Sequence, residues 1–372
     1  MPKKSYIKEF EGLRGLLACW VALGHALVAL PVGASEGRGA LFNVDAVDVF
    51  IILSGFVIFS LLDGDRKTSY FPYLIARFFR IFPVYFLVLI ISTALLGFDR
   101  QAILTIPHGT ATPIRLTLIA AAESHPVAHF IGHLTMLHGA IPEHLLPRTA
   151  FTLVGQAWSI SVEWQFYLIA PFLFAWFSTI ERLKSLVAVT AVAGASYVYG
   201  HFTTNGFAGN NCLLFGLGFA SYYFYRSDCF NLSPGAVRVV FAAAFYFSFF
   251  LMREHIVGVT VWLAVFYAVV AARQAARGNL INRALMLPPV AYVGRISYSL
   301  YMVHMQVLYL LMEGFHLAHF PLWFLPPTVL VVSVGVASLV HHTIEAPLHG
   351  FGKRLSMPRR LTPAAAVEGS AP

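Results

Sequence analysis

Apolar segments long enough to cross a lipid bilayer recur from the beginning of this 372-residue chain almost to its end. A helix needs about 20 mostly apolar residues to span the hydrocarbon core of a membrane. We therefore predict an all-α, polytopic membrane protein with about ten transmembrane helices, since only helices and closed barrels satisfy the backbone in lipid. The predicted spans are residues 10–30, 44–62, 81–98, 151–177, 183–200, 207–225, 236–252, 256–272, 290–312 and 322–344.

The composition excludes other classes of protein. Hydrophobic residues make up 58% of the chain and charged residues only 11%, which is typical of a membrane protein and not of a soluble enzyme. The net charge of +8 could suggest binding to nucleic acid. The basic residues, however, are scattered between apolar segments, and the sequence contains no nucleic-acid-binding motif.

The distribution of the basic residues predicts an orientation. With ten spans, most of the 25 lysines and arginines fall on the side that holds both termini. The positive-inside rule makes that side cytoplasmic. Lys3, Lys4 and Lys8 resemble the start of a signal peptide, but Arg14 interrupts the apolar segment that follows. We interpret this segment as an uncleaved first transmembrane helix.

One membrane domain over residues 1–350 and a cytoplasmic, disordered tail over residues 351–372 account for the whole chain. Residues 99–150 are less apolar and rich in proline, so we predict loops and short helices there. The chain shows no internal repeats.

Arg14 and His25 stand inside the first predicted span, where ionisable residues are costly and usually functional. Eleven residues correspond to three helical turns plus about 20°, so both side chains share one face, about 16 Å apart along the axis. The simpler alternative is that Arg14 snorkels to the interface and His25 forms a hydrogen bond between helices.

Two further groups extend this set of charges. Arg77 and Arg80 lie three residues apart before the third span, so their guanidinium groups share a face that suits phosphates or a carboxylate. They could also be an ordinary positive flank of the span. Glu163 lies within the fourth span and needs a partner, for which His25 or an arginine is a candidate. A pair with an arginine would be structural, whereas a pair with His25 would suit a general base.

Several polar residues near the ends of other spans are supporting candidates, although such residues often only hold helices together. Asp48 could orient a histidine or simply begin a helix, and Ser54 permits close helix packing. The last two spans add hydroxyl, imidazole and carboxylate groups. These supporting residues are Asp48, Ser54, Tyr298, Tyr301, His304 and Glu345.

No metal site is predicted. His125, His129 and His133 recur every four residues in the long segment after the third span, but no acidic or cysteine ligand lies in register with them. The three cysteines show no metal-binding spacing and predict no disulfide framework.

Six motifs in order along the chain make it similar to a known family. They are Arg14-x10-His25, "VDVFIILSGF", Arg77-x-x-Arg80 before "IFPVY", "AWSISVEWQFYL", "GRISYSLYMVH" and "IEAP". Together they resemble the bacterial membrane-bound acyltransferase family 3, which includes O-antigen acetylases and nodulation-factor acetylating proteins. The resemblance extends from about residue 7 to residue 347. The family often has aromatic residues where Ile51 and Ile52 stand here.

The resemblance implies a stand-alone acyltransferase of the bacterial inner membrane. An acyl group, usually acetyl, would pass from cytoplasmic acyl-CoA to a hydroxyl of a glycan, a lipid-linked sugar or another small acceptor. Arg77 and Arg80 would bind the phosphates of the donor, with Arg14 deeper in the membrane. His25 would be the general base, paired with Glu163 unless Glu163 pairs with Arg14. Tyr298 or Tyr301 could stabilise the thioester oxyanion.

Two other functions fit the buried charges. A transporter or flippase could use Arg14, His25 and Glu163 as a substrate or proton pathway, although the sequence contains no inverted repeat. A noncatalytic scaffold would tolerate substitution at all three positions.

Overall fold

A computed structural model describes residues 7–31, 38–64, 69–179, 194–196 and 198–357. This part of the chain is helical, and it contains no strand. The predicted all-α fold is therefore confirmed for the described residues. Most of the predicted span over residues 183–200 lies outside them, as do residues 358–372 of the predicted tail.

The first half of the chain forms three long helices, three short helices and a further long helix. They are α1 (Lys8–Leu27), α2 (Arg38–Leu62), α3 (Tyr70–Ala94), α4 (Leu96–Leu104), α5 (Thr112–Ser124), α6 (Pro126–Leu134) and α7 (Trp158–Thr179). The short helices α4–α6 and the turns up to residue 157 form the proline-rich segment, as predicted.

The described part of the second half contains five longer helices and three short ones. They are α8 (Cys212–Arg226), α9 (Pro234–Leu251), α10 (Ile256–Gln274), α11 (Leu280–Leu285), α12 (Pro288–Arg295), α13 (Ser297–Leu317), α14 (Leu325–Val340) and α15 (Ala346–Leu355). A π-helical turn, His341–Glu345, joins α14 to α15. Helix α15 includes residues 351–355 of the range predicted as tail.

Within the described residues, five helical stretches are long and apolar enough to cross a membrane. They are Asn43–Leu62, Tyr70–Ala94, Pro234–Leu251, Arg253–Gln274 and Leu322–Leu355. Helices α1, α7 and α13 are also long, with 20, 22 and 21 residues, but their polar side chains lower their mean hydropathy. The structure thus supports a multi-pass helical protein, while the number of spans and their orientation stay predictions.

Helix α1 lies at the centre of the packing, against α2, α12, α13 and α14. Glycines allow its backbone to approach its neighbours closely. A Cβ atom at Gly12 would lie 2.0 Å from the carbonyl oxygen of Leu285, and one at Gly15 would lie 2.6 Å from the amide nitrogen of Gly294. This close contact fixes the face of α1 that carries Arg14.

Large apolar side chains on the surface are concentrated on helices such as α9, where Val239, Tyr246, Phe247, Phe250 and Leu251 are all exposed. In water such a surface would be costly, whereas in a bilayer it faces lipid. Helix α9 therefore lies at the periphery and has no part in the buried site around α1.

Candidate functional site

Two adjoining cavities lie beside Arg14. The polar walls of the central cavity include Ser159, Ser297 and Tyr301. The basic cavity is lined by Arg77 and Arg80, among other residues. Five residues line both cavities and form a junction between them; they are Arg14, Leu53, Ser54, Glu163 and Tyr298.

Arg77 and Arg80 both line the basic cavity, as their spacing on α3 predicts. Their surroundings differ. Arg80 forms an ion pair with Glu345, and its guanidinium carbon lies 5.5 Å from the centre of the Tyr298 ring. Arg77 lies 5.8 Å from the centre of the Tyr167 ring, and its buried Nε–H has no hydrogen-bond acceptor among the described residues. Arg77 is thus the arginine that remains available to a ligand.

Glu345 is held by three groups around the π-helical turn. It accepts hydrogen bonds from Arg80 and, at 2.6 Å, from the hydroxyl of Ser299. The Nδ1 atom of His341 lies 3.0 Å from the same carboxylate. The Glu345 side chain is only 1% exposed, so its charge is compensated almost entirely by these partners. This predicted supporting residue therefore anchors Arg80 and does not face the cavities.

Glu163 lies at the junction, but it does not form either of its predicted pairs. Its Oε1 atom accepts hydrogen bonds from Ser54, at 3.2 Å, and from Tyr167. Arg14 is near enough to act on Glu163 electrostatically, yet the two form no ion pair. Tyr167 is a site residue that sequence analysis did not identify, although its position four residues after Glu163 on α7 was a usable signal.

His25 lies beyond the central cavity, next to His304. The centres of the two imidazole rings are 5.3 Å apart. The Nδ1 atom of His304 donates to the backbone carbonyl of Tyr301 at 2.7 Å, so in the neutral ring Nε2 is an acceptor. That Nε2 atom is buried and has no hydrogen-bond partner among the described residues.

Arg115 holds the backbone at His25 from outside the predicted spans. Its Nη2 atom donates to the backbone carbonyl of His25 at 2.9 Å. Burial lowers the pKa of Arg115, while the nearby Tyr309 raises it. Arg115 is therefore a second unpredicted member of the site, contributed by the short helix α5.

The hydroxyl groups of the two predicted tyrosines already donate hydrogen bonds to backbone carbonyls. Tyr298 donates to the backbone carbonyl of Ile81, and Tyr301 donates to that of Gln156 at 2.6 Å. Neither proton remains for an oxyanion, so this part of the prediction does not fit the geometry. The hydroxyl of Ser297, which lines the central cavity, has no partner among the described residues and is a better-placed donor.

Asp48 contacts a histidine, as one of its two predicted roles requires, and that histidine is His255. Its carboxylate lies 2.9 Å from Nδ1 of His255, and its side chain is 1% exposed. The pair joins α2 to the turn before α10, and Gly258 lies against Asp48. Asp48 thus stabilises the packing of these helices, and it does not contact His25.

The histidines of the proline-rich segment contact one another and nearby threonine side chains. No group of three potential ligands that could hold a metal ion occurs in the described part of the chain. His133 and His138 stack with ring centres 3.9 Å apart, and His129 contacts the hydroxyl of Thr152 at 3.1 Å. Burial lowers the pKa of all three imidazoles, that of His138 to about 3. They are buried neutral groups that hold the segment together.

A family model and two curated proteins match most of this chain. A family model described as an acyltransferase domain matches residues 7–342. Nodulation protein 10 of Rhizobium leguminosarum bv. viciae is 26% identical over 91% of this chain and 92% of its own. The putative peptidoglycan O-acetyltransferase YrhL of Bacillus subtilis (strain 168) is 24% identical over 96% of this chain, which spans 57% of that protein. No solved structure shows a significant match.

Proposed function

The chain belongs to the acyltransferase family whose model it matches, and we propose that it is an O-acyltransferase that uses cytoplasmic acyl-CoA. As a member of this family it is an acyltransferase enzyme of a membrane. In our proposal the acyl group is acetyl, and the acceptor is a hydroxyl of a glycan, a lipid-linked sugar or another small molecule. The proposed location is the bacterial inner membrane.

One observation carries this proposal. The basic cavity, the junction at Arg14 and the central cavity follow one another through the helices, and the His304–His25 pair comes next. Tyr301 connects the last two steps, because it lines the central cavity and its ring centre lies 5.9 Å from that of His304. A donor with an anionic end and a long, thin arm fits such a path.

The orientation follows from the same path. We assign the end with Arg77 and Arg80 to the cytoplasm, because acyl-CoA is made there and because basic residues favour that side. Arg115 and the His25–His304 pair then face the outer leaflet, where an acceptor would enter. Both termini are cytoplasmic in this arrangement.

His25 is the proposed general base. A neutral imidazole can accept a proton near neutral pH. In the proposed reaction it takes the proton of the acceptor hydroxyl, whose oxygen attacks the thioester carbonyl. The carbon–sulfur bond then breaks, and the leaving thiolate takes the proton back from the imidazolium. His304 and Arg115 hold the ring and the backbone of His25 in place.

The negative charge on the carbonyl oxygen needs donors in the central cavity. Ser297 is the neutral candidate, since its hydroxyl lines this cavity and has no hydrogen-bond partner among the described residues. The Arg14 guanidinium lines the same cavity and adds a positive charge. Preorganised donors of this kind are usually the largest single contribution to acyl-transfer catalysis.

The test uses membranes that contain equal amounts of wild type, His25→Gln or His316→Gln. His316 is an exposed histidine at the end of α13, so it is a matched control. Membranes receive acetyl-CoA labelled in the acetyl group, and label is then measured in glycan and lipid fractions. We expect label with wild type and His316→Gln, and a loss of at least about 100-fold with His25→Gln. Normal labelling with His25→Gln would refute the mechanism.

A transport function finds no comparable support. The family match and the two relatives concern acyl transfer, and neither relative is named as a transporter. The buried charges Arg14 and Glu163, which motivated the transporter alternative, also fit a path for an acyl donor.

A further inference from the structure

Helix α15 carries an imidazole and an ammonium group that lie close to the arginines of α3. His349 and Lys353 are four residues apart on this helix and therefore share a face. The helix packs closely on α3, where a Cβ atom at Gly352 would lie 2.3 Å from the Cβ atom of Phe79. Phe79 stands between Arg77 and Arg80 on α3. The contact thus holds α15 against the part of α3 that carries the two arginines.

The charged groups around His349 are mostly positive. Arg77, Arg80 and Lys353 all act electrostatically on the imidazole of His349, and Arg77 and Arg80 act on the ammonium group of Lys353. Glu345 is the acidic group near His349, and its carboxylate is already occupied by Arg80, Ser299 and His341. Like charges held together in this way favour an anionic ligand.

Two polar atoms in the cluster have no partner. The Nε atom of Arg77 and the Nε2 atom of His349 are both buried, and neither has a hydrogen-bond partner in the described part of the chain. Buried polar groups are almost always paired, so an unpaired one calls for an explanation. Two of them in one cationic cluster indicate acceptor oxygens that come from a ligand.

Resting on the proposed function, we propose that His349, Lys353 and Arg77 bind the phosphate groups at the nucleotide end of acyl-CoA. Arg80 has a different role, because its guanidinium is held by Glu345. It positions α3 and contributes its charge to the site. A fork-shaped guanidinium beside an ammonium group suits several phosphate oxygens better than a single carboxylate. The pantetheine arm then extends past Arg14 into the central cavity.

The experiment compares two donors with the purified full-length protein in detergent. Acetyl-CoA carries the phosphates, whereas acetyl-pantetheine lacks all of them. The variants are Lys353→Gln, His349→Gln and the control Arg354→Gln, which removes a charge from an exposed neighbouring position on α15. We expect Lys353→Gln and His349→Gln each to raise KM for acetyl-CoA roughly tenfold, as for loss of a hydrogen bond to a charged group.

The ratio of kcat/KM for acetyl-CoA to that for acetyl-pantetheine separates binding from structural damage. This ratio should fall about tenfold in Lys353→Gln and His349→Gln, while Arg354→Gln keeps the wild-type ratio. An unchanged ratio overturns the inference, whether both donors react normally or both react poorly. If both donors react normally, the proposed acyl transfer itself still stands.

A binding measurement covers the case in which wild type transfers acetyl from neither donor. Calorimetry then measures adenosine 3′,5′-bisphosphate binding to wild type, Lys353→Gln and Arg354→Gln. Binding that weakens in Lys353→Gln but not in Arg354→Gln supports the phosphate site, even if the proposed reaction is wrong. No binding to wild type, or equal binding to all three proteins, overturns it.

Discussion

The ion pair between Arg80 and Glu345 provides the sharpest test of how the basic cavity is built. We expect Glu345→Gln to lower the free energy of unfolding substantially, because it leaves Arg80 without its counter-charge. Removing one partner of a buried pair costs about 3–5 kcal/mol. The Arg80 side chain is 19% exposed, so water compensates part of its charge, and we expect a loss of about 3 kcal/mol.

Arg77→Gln is the control for loss of a charge at this cavity, since it removes one positive charge from α3, the helix that also carries Arg80. Arg77 has no ion pair within the described residues, and its Nε–H lacks an acceptor. Its replacement removes an unpaired buried donor and a repulsive charge. We therefore expect a change in the free energy of unfolding of less than about 1 kcal/mol.

The assay is unfolding in mixed micelles of detergent and SDS, followed by the fluorescence of the six tryptophans. The double variant Arg80→Gln/Glu345→Gln completes a double-mutant cycle. Its cost should be smaller than the sum of the two single variants, because neither charge is then left alone. A loss below about 1 kcal/mol for Glu345→Gln, or an equal loss for Arg77→Gln, would refute the assigned roles.

Three further predictions concern other parts of the structure. Ser297→Ala should lower kcat for the proposed transfer about 100-fold with little change in KM, whereas Ser299→Ala should mainly lower thermal stability. Because burial lowers the pKa of His138 to about 3, its contribution to stability is complete above pH 6.5 and is lost as pH falls from 6.5 towards 3. The hydrogen-exchange protection factors of residues 129–154, which correct for the slower intrinsic exchange at low pH, should therefore fall on acidification, and constant protection factors over that range would contradict this. Gly12→Ala should reduce the yield of folded protein in size-exclusion chromatography, since its Cβ would lie 2.0 Å from the carbonyl oxygen of Leu285.

Sequence periodicity predicted which residues share a helix face. Arg77 and Arg80 line one cavity, and Arg14 also faces that cavity. The shared face of Arg77 and Arg80 follows from the pitch of a helix, which is the same for every helical sequence. The start of α3 was predicted too late, at residue 81 and not at Tyr70, because the two arginines reduce the apolar character of its first turns.

The sequence could not predict which helix faces which. Arg80 and its partner Glu345 are 265 residues apart, and Asp48 and His255 are 207 residues apart. Single-sequence patterns carry no information about such contacts. For the same reason the sequence leaves open which histidine Asp48 orients, and it predicts His25 or an arginine as the partner of Glu163, which instead contacts Ser54 and Tyr167.

The junction at Arg14 has a consequence for the energy balance of the cell. An enzyme that passes an acyl group between two sides of an energised membrane must not let protons follow it, because each leaked proton would waste stored electrochemical potential. A fixed positive charge in a pore is a known electrostatic barrier to protons and other cations. Arg14 lines both cavities at the point where they meet. In the proposed path, the residue that attracts the donor thus also insulates the membrane.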